Sequence, residues 1–260
     1  MHNASKLRRK LVSASFFIGM TKYSIAYANL NDPQNWQDFP EYALPSYVHL
    51  PENPNIAQQK SYQRRRLAYF LLWQLGKAYP DFANLMATIE KDELGRPQIR
   101  SNFFDFNISH SGEWVVVILA KNETKLKPLV AVDIESISRK RNYIALLEHF
   151  ATKAEHAWFQ QQNQHSDAFY ELWCVREAVL KVTGIGLRKL SDIRYLPQIN
   201  ALTTQYCPPG QVLFTTELPF YMAIFILITP MPDVKIPCYH ISSPHHTSQA
   251  LDRIKLILVN

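Results

Sequence analysis

Glycine is scarce in this 260-residue chain, with seven in all, where average usage is roughly 7% of residues. No Gly-x-Gly-x-x-Gly turn and no P-loop occurs, which disfavours Rossmann and Walker-type nucleotide sites. Cysteine is scarcer still. Cys174, Cys207 and Cys238 are odd in number and widely spaced, so they build neither a disulfide framework nor a C-x-x-C metal site, and reduced thiols are the simplest reading. Long hydrophobic runs are missing too: the longest, Phe220 to Ile228, has nine residues, about half of the roughly 20 a bilayer-spanning helix requires. No transmembrane segment is expected. At 47% hydrophobic and 19% charged, the chain is too apolar for a disordered or low-complexity protein. It is long enough for one large domain or two small ones.

What is present begins with positive charge. Lys and Arg number 28 against 22 Asp and Glu, a net charge of +6, so the surface favours anions: nucleic acid, phosphorylated small molecules or an acidic protein. The excess clusters at Lys6 to Lys10, Arg64 to Arg66 and Arg139 to Arg141. Neither an RNA-binding aromatic signature nor a zinc-finger spacing accompanies it, and nucleic acid is not the expected partner. The basic start, the apolar run Leu11 to Met20 and the triplet Ala26-Tyr-Ala28 imitate a secretory signal. The same stretch, from Tyr23 to Asn29, equally reads as a half-buried first strand.

Proline and glycine punctuate the rest. Residues 31–55 hold five prolines and read as a loop, whereas only Pro97 and Pro128 fall between 81 and 196. In that regular block Gly95, Gly112, Gly184 and Gly186 mark turns. Leu67, Phe70, Leu71 and Leu75 share one face of a helix predicted from Gln58 to Ala78. Thr152-Lys-Ala-Glu155 is a capping box opening a helix to about Gln162, and a longer helix from Asp167 to Thr183 is closed by Gly184. Strands are predicted at 104–108, 113–121 and 128–135, then at 191–196, 211–217, 221–229 and 234–240, before an apolar tail. This order is not a βαβ alternation. It indicates an α+β fold, with two similar halves meeting near residue 130.

Four features carry chemistry. Asp133-Ile-Glu135 ends an apolar strand, and period two places both carboxylates on one face, with Val132 and Ile134 on the other. Unpaired, they repel; a hard cation such as Mg²⁺ relieves this, and a solvated strand end is the plain alternative. Trp173, Glu177 and Lys181 recur every four residues on one helical stripe, which suits either an ordinary surface ion pair or a charged stripe facing a site. Asn107-Ile-Ser-His-Ser-Gly112 reads as a polar turn able to hold phosphate, or as a plain hairpin. Its adjacent Ser109 and His110 cannot form a nucleophilic pair on a strand, because their side chains diverge. Gly95-Arg-Pro97 and Arg64 to Arg66 supply guanidinium groups suited to phosphate, or simply surface charge.

In order along the chain these motifs form a recognisable set. Gly95-Arg-Pro97, Phe106-Asn-Ile-Ser-His-Ser-Gly112, Val130-Ala-Val-Asp-Ile-Glu135 and Phe169-Tyr-x-x-Trp173-x-x-Arg-Glu-Ala178-x-x-Lys181-x-x-Gly184 resemble the 4′-phosphopantetheinyl transferases, specifically the long, pseudo-duplicated type that activates synthetases. The similarity runs from about Gly95 to Leu187. Departures are Ala131 where the family usually has glycine, Arg176 where lysine is usual, and Tyr69 where arginine is common.

The resemblance implies a fold of two α+β halves with the active site between them: an N-terminal half over residues 20–128, a C-terminal half over 129–245 carrying the metal site, and a tail from 246 to 260. It implies transfer of phosphopantetheine from coenzyme A to a serine of an apo acyl or peptidyl carrier protein. Asp133, Glu135 and Glu177 would hold Mg²⁺ (or Mn²⁺). Glu177 and Lys181 would be catalytic, as base and as charge-neutralising group. Arg64, Arg96, Ser109, His110 and Lys181 would contact coenzyme A. A monomer working in the cytoplasm, where both substrates occur, is the matching expectation, with residues 1–19 an uncleaved leader or misassigned start. The competing readings are another Mg²⁺-dependent phosphoryl-transfer enzyme, such as a phosphodiesterase or nuclease, and a degenerate homologue that binds carriers without modifying them.

Overall fold

The computed structural model describes residues 21–34, 36, 39–124, 127–138, 141–227, 236–242, 246–251 and 253–260; the leader at 1–19 lies outside them. Strand β1 (Thr21–Asn29) is followed by helices α1 (Ile56–Gly76) and α2 (Phe82–Met86), then β2 (Glu90–Lys91), β3 (Pro97–Gln98), β4 (Phe104–Ser111), β5 (Trp114–Asn122) and β6 (Val130–Ser136). Helices α3 (Tyr143–Leu147), α4 (Lys153–Gln160) and α5 (His165–Thr183) lead into β7 (Arg194–Leu196), β8 (Ala201–Thr203), β9 (Gly210–Thr215), β10 (Phe220–Leu227), β11 (Pro237–Ile241), β12 (His246–Ala250) and β13 (Lys255–Val259). The α+β reading holds. None of the helices among the described residues is long and apolar enough to cross a membrane.

Local chemistry sets the helix ends. Asn55 and Gln58 cap α1 reciprocally, each side chain accepting the other's backbone N–H at 2.9 Å, so the helix starts two residues ahead of its predicted first residue. Thr152 and Glu155 form the predicted capping box on α4. Gly184 closes α5 with φ of 75°, a left-handed conformation that would strain a side chain. The predicted strand at 191–196 is shorter than expected, because residues 187–192 coil as a 3-10 turn before β7.

Two sheets, in the strand orders β12-β11-β1-β5-β4 and β6-β10-β9-β13-β8-β7, lie between the two long helices. On β5, Val115, Val117 and Leu119 pack with Leu67, Phe70 and Leu71 of α1. Its alternate residues Val116, Ile118 and Ala120 pack with Val132, Ile134, Met222 and Ile224 of the second sheet. That sheet's other face, through Ala223, Phe225 and Val212, meets Phe169, Leu172, Val175 and Val179 of α5. The order helix, sheet, sheet, helix explains why β5 and β10 are apolar on both faces. Each fully buried Leu, Val or Phe on these faces contributes about 1.5–3 kcal/mol. Strand pairing crosses the halves read from the sequence: β11 lies parallel to β1, so β11 and β12 complete the first sheet.

The sheets meet edge to edge at β4 and β6 without a backbone ladder. Instead, alternate side chains of β4 accept the N–H groups of β6: Asp105 from Val130 at 2.9 Å, Asn107 from Val132 at 3.1 Å, Ser109 from Ile134 at 3.1 Å and Ser111 from Ser136 at 3.0 Å. Period two puts all four on one face of β4, and each bond satisfies an edge-strand donor that would otherwise be buried unpaired. The segment read as a polar turn is therefore mostly strand, and only Gly112 and Glu113 turn. Asn107→Ala should lower the unfolding free energy by about 1–3 kcal/mol, the usual cost of a stranded buried donor, as measured by urea denaturation. An unchanged midpoint would mean that the seam is not held this way.

Candidate active site

The seam fixes the register that builds the site. Because Val132 and Ile134 point into the inter-sheet core, Asp133 and Glu135 must face the opposite side, toward α5. From α5 comes Lys181, whose Nζ donates to Asp133 Oδ1 at 2.7 Å, Ser109 Oγ at 2.8 Å and the Val132 carbonyl at 3.3 Å. Three elements thus converge on one ammonium group. Burial alone would lower its pKa, but the carboxylates of Asp133 and Glu177 hold it above the ordinary lysine range. One turn earlier on the same stripe, Glu177 is pushed well above the usual carboxylate range by burial and by Asp133, against the pull of Lys181.

Glu135 is held on both oxygens. Ser111 donates to Oε2 at 2.8 Å and Arg141 to Oε1 at 2.7 Å. The Arg141 guanidinium lies over the Trp173 ring, 5.2 Å from its centroid, which gives the first residue of the predicted stripe a place at the site. Cys174 lies beneath these carboxylates, fully buried, and desolvation first and Asp133 second push its thiol up. A thiolate nucleophile is therefore disfavoured there.

His110 points away from Ser109 and Ser111 and is exposed. Desolvation by the surrounding chain, then the charges of Arg64 and Lys181, hold its imidazole below the ordinary range. Arg64 reaches the same turn and donates to the Gly112 carbonyl at 3.0 Å. Arg96 is placed elsewhere. Its buried guanidinium donates to Asp105 at 2.8 Å and to the Phe106 and Val130 carbonyls. That is four strand residues from Ser109, roughly 13 Å at about 3.3 Å per residue. Arg96 locks the first rung of the seam, beside the Gly184 turn that ends α5.

The donor set is three carboxylates, Asp133, Glu135 and Glu177, against the cations Lys181 and Arg141. Asp133 Oδ2 is buried without a hydrogen-bond partner, and Glu177 is pushed up by burial first and then by the charge of Asp133. Both are what an oxygen-ligated divalent cation would relieve, so the residues fit Mg²⁺ or Mn²⁺. Among the described residues, no three ligating side chains are already drawn together as a metal cluster; Lys181 and Arg141 bind Asp133 Oδ1 and Glu135 Oε1 instead. Sequence reading missed Arg141, Ser111 and the structural role of Asp105. The period-two row of short polar residues from Asp105 to Ser111 was the available signal for the last two.

A carboxylate cluster with an adjoining lysine and nearby basic groups, on an α+β scaffold without a P-loop, has the chemistry that metal-assisted phosphoryl transfer requires. Residues 129–217 match the model of the 4′-phosphopantetheinyl transferase superfamily. A protein of Haemophilus influenzae provisionally named 4′-phosphopantetheinyl transferase is 44% identical over 208 residues, 80% of this chain and 87% of that one. The 4′-phosphopantetheinyl transferase Sfp of Bacillus subtilis is 31% identical over 136 residues, 52% of this chain and 47% of its own. The transferase gsp of Aneurinibacillus migulanus is 36% identical over 99 residues, 37% of this chain and 38% of its own. The chain belongs to the 4′-phosphopantetheinyl transferase superfamily and is an enzyme of that kind.

Proposed function

We propose that the protein moves 4′-phosphopantetheine from coenzyme A to a serine of an apo acyl or peptidyl carrier protein. The observation that carries this reading is the convergence of Asp133, Glu177 and Lys181 at the seam, next to an exposed basic turn. The serine oxygen bonds to the β-phosphorus of coenzyme A, and the bond from that phosphorus to the bridging oxygen breaks. Adenosine 3′,5′-bisphosphate leaves. Asp133, Glu135 and Glu177 would hold Mg²⁺ or Mn²⁺, which when bound screens the pyrophosphate charge.

The chain's own residues do the rest. Glu177, ionised more readily once its neighbours' negative charges are screened, takes the serine proton. Lys181, anchored by Asp133 and Ser109, faces the negative charge that grows on the departing phosphate. His110 and Arg64, on the outer side of the Gly112 turn, contact the phosphates of coenzyme A, with Ser109 behind them. Arg96 supports the site through Asp105, in place of the direct phosphate contact expected from sequence. The positive surface suits both the anionic cofactor and an acidic carrier, and the cytoplasm, where both substrates occur, is the matching compartment. A monomer suffices, since both sides of the site come from one chain.

Intact mass spectrometry of apo carrier proteins, incubated with the purified protein, coenzyme A and Mg²⁺, tests this. The expected result is a gain of one phosphopantetheine on the carrier serine. Unmodified carriers across acyl and peptidyl types would overturn it.

A further inference from the structure

Two arginines near the site are held in contrasting ways. Arg176 is fully buried and donates to the Leu172 and Ile193 carbonyls as well as to Glu155. Among the described residues Arg141 makes one side-chain hydrogen bond, to Glu135 Oε1 at 2.7 Å. Its side chain is 13% exposed, and its Nε is buried with no partner. A guanidinium has five N–H donors, so Arg141 is only partly satisfied and can be displaced. Its other supports are the Trp173 and Tyr170 rings, 5.2 and 6.0 Å away, contacts that hold a cation without directing it.

We propose that Arg141 is a resident counter-ion for Glu135, a positioning residue that competes with a divalent cation for that carboxylate. The proposal rests on reading Asp133, Glu135 and Glu177 as the cation site. The charge arithmetic supports it. Three carboxylates crowd the site, and Lys181 is committed to Asp133, so without a metal Glu135 has Arg141 as its cation. With Arg141 on Oε1 and Ser111 on Oε2, each oxygen of Glu135 already has one partner, and the guanidinium places a positive charge where a metal would approach. A divalent ion that uses Glu135 must therefore share the carboxylate with the guanidinium, against like-charge repulsion, or displace it. The enzyme therefore keeps Asp133 and Glu135 paired and correctly placed when empty, at the cost of weaker cation binding.

Direct binding tests this without turnover. Mn²⁺ is titrated into the full-length protein, without coenzyme A or carrier, and the free ion is followed by electron paramagnetic resonance. Arg141→Gln should bind Mn²⁺ about tenfold more tightly than the parent, the scale of one lost charge-assisted competitor. Arg141→Lys keeps the charge but loses the planar stack on Trp173, and should tighten binding by about two- to threefold. In chelator, Arg141→Gln should melt below the parent, and saturating Mn²⁺ should close that gap. Unchanged or weaker affinity in both Arg141 variants, with binding lost in Asp133→Ala, would overturn the counter-ion role and leave the cation site standing. Parent-like binding in Asp133→Ala would instead remove the cation site, and the proposal with it. Circular dichroism verifies the fold of each variant.

Discussion

Glu177→Gln should reduce phosphopantetheine transfer by at least about 10²–10⁴-fold, the range for loss of a positioned general base, while leaving the fold intact. Gln is isosteric and keeps the hydrogen-bonding reach, so packing along α5 is undisturbed. What disappears is a negative charge that burial, Asp133 and Glu135 already oppose. Removing one of three crowded carboxylates relieves that repulsion. The variant is therefore expected to melt at or above the parent temperature in chelator while being inactive. That pairing separates a reacting group from a structural one, because destabilised variants lose activity and stability together. Carrier mass spectra and thermal melts of the same preparation check both halves. Turnover within a few-fold of the parent would remove Glu177 from the chemistry and leave Lys181 as the principal catalytic group on the stripe.

The chemistry was more legible in the sequence than the architecture that delivers it. The carboxylates of Asp133 and Glu135 are separated by two on a strand, and Glu177 and Lys181 by four on a helix, so each pair is fixed by its own local period. That the two pairs face one another depends on β6 lying at a sheet edge beneath α5, a long-range fact with no local trace. The same limit applies to the β4 segment. Its serines looked like a turn because short polar residues favour turns, yet here they serve the N–H groups of a strand 25 residues later. Arg96 shows the opposite failure. A guanidinium in a tight turn reads as a phosphate ligand, but Asp105, buried on the neighbouring strand, claims it first. Short elements such as α2 and α3 span barely more than one turn, too few residues for a helical period to register. The return of β11 to β1 was invisible for another reason: parallel pairing across some 210 residues is decided by the whole sheet, not by the strand's own residues.

Arg176→Met should destabilise the fold by about 3–5 kcal/mol, because it strands a carboxylate with no access to water. Glu155 has three duties. One oxygen accepts the Thr152 N–H of the α4 capping box at 2.6 Å, and the other accepts both the Tyr195 N–H at 3.1 Å and the Arg176 guanidinium. Both ion-pair side chains are 0% exposed. The start of α4, the middle of α5 and β7 are therefore tied at one point, through the residue that precedes Glu177. Glu155→Gln alone keeps an oxygen for the cap but leaves Arg176 as the uncompensated buried charge, and should cost a comparable amount. The Arg176→Met, Glu155→Gln double variant leaves neither charge buried, so it should be clearly more stable than the sum of the two single losses predicts. Arg176→Lys retains the charge but forgoes one or both carbonyl bonds, and should fall between the parent and Arg176→Met. Urea denaturation of the four variants gives the coupling directly. Additive losses would mean that Glu155 and Arg176 act separately, Glu155 through the cap and Arg176 through its carbonyl bonds, rather than as one pair.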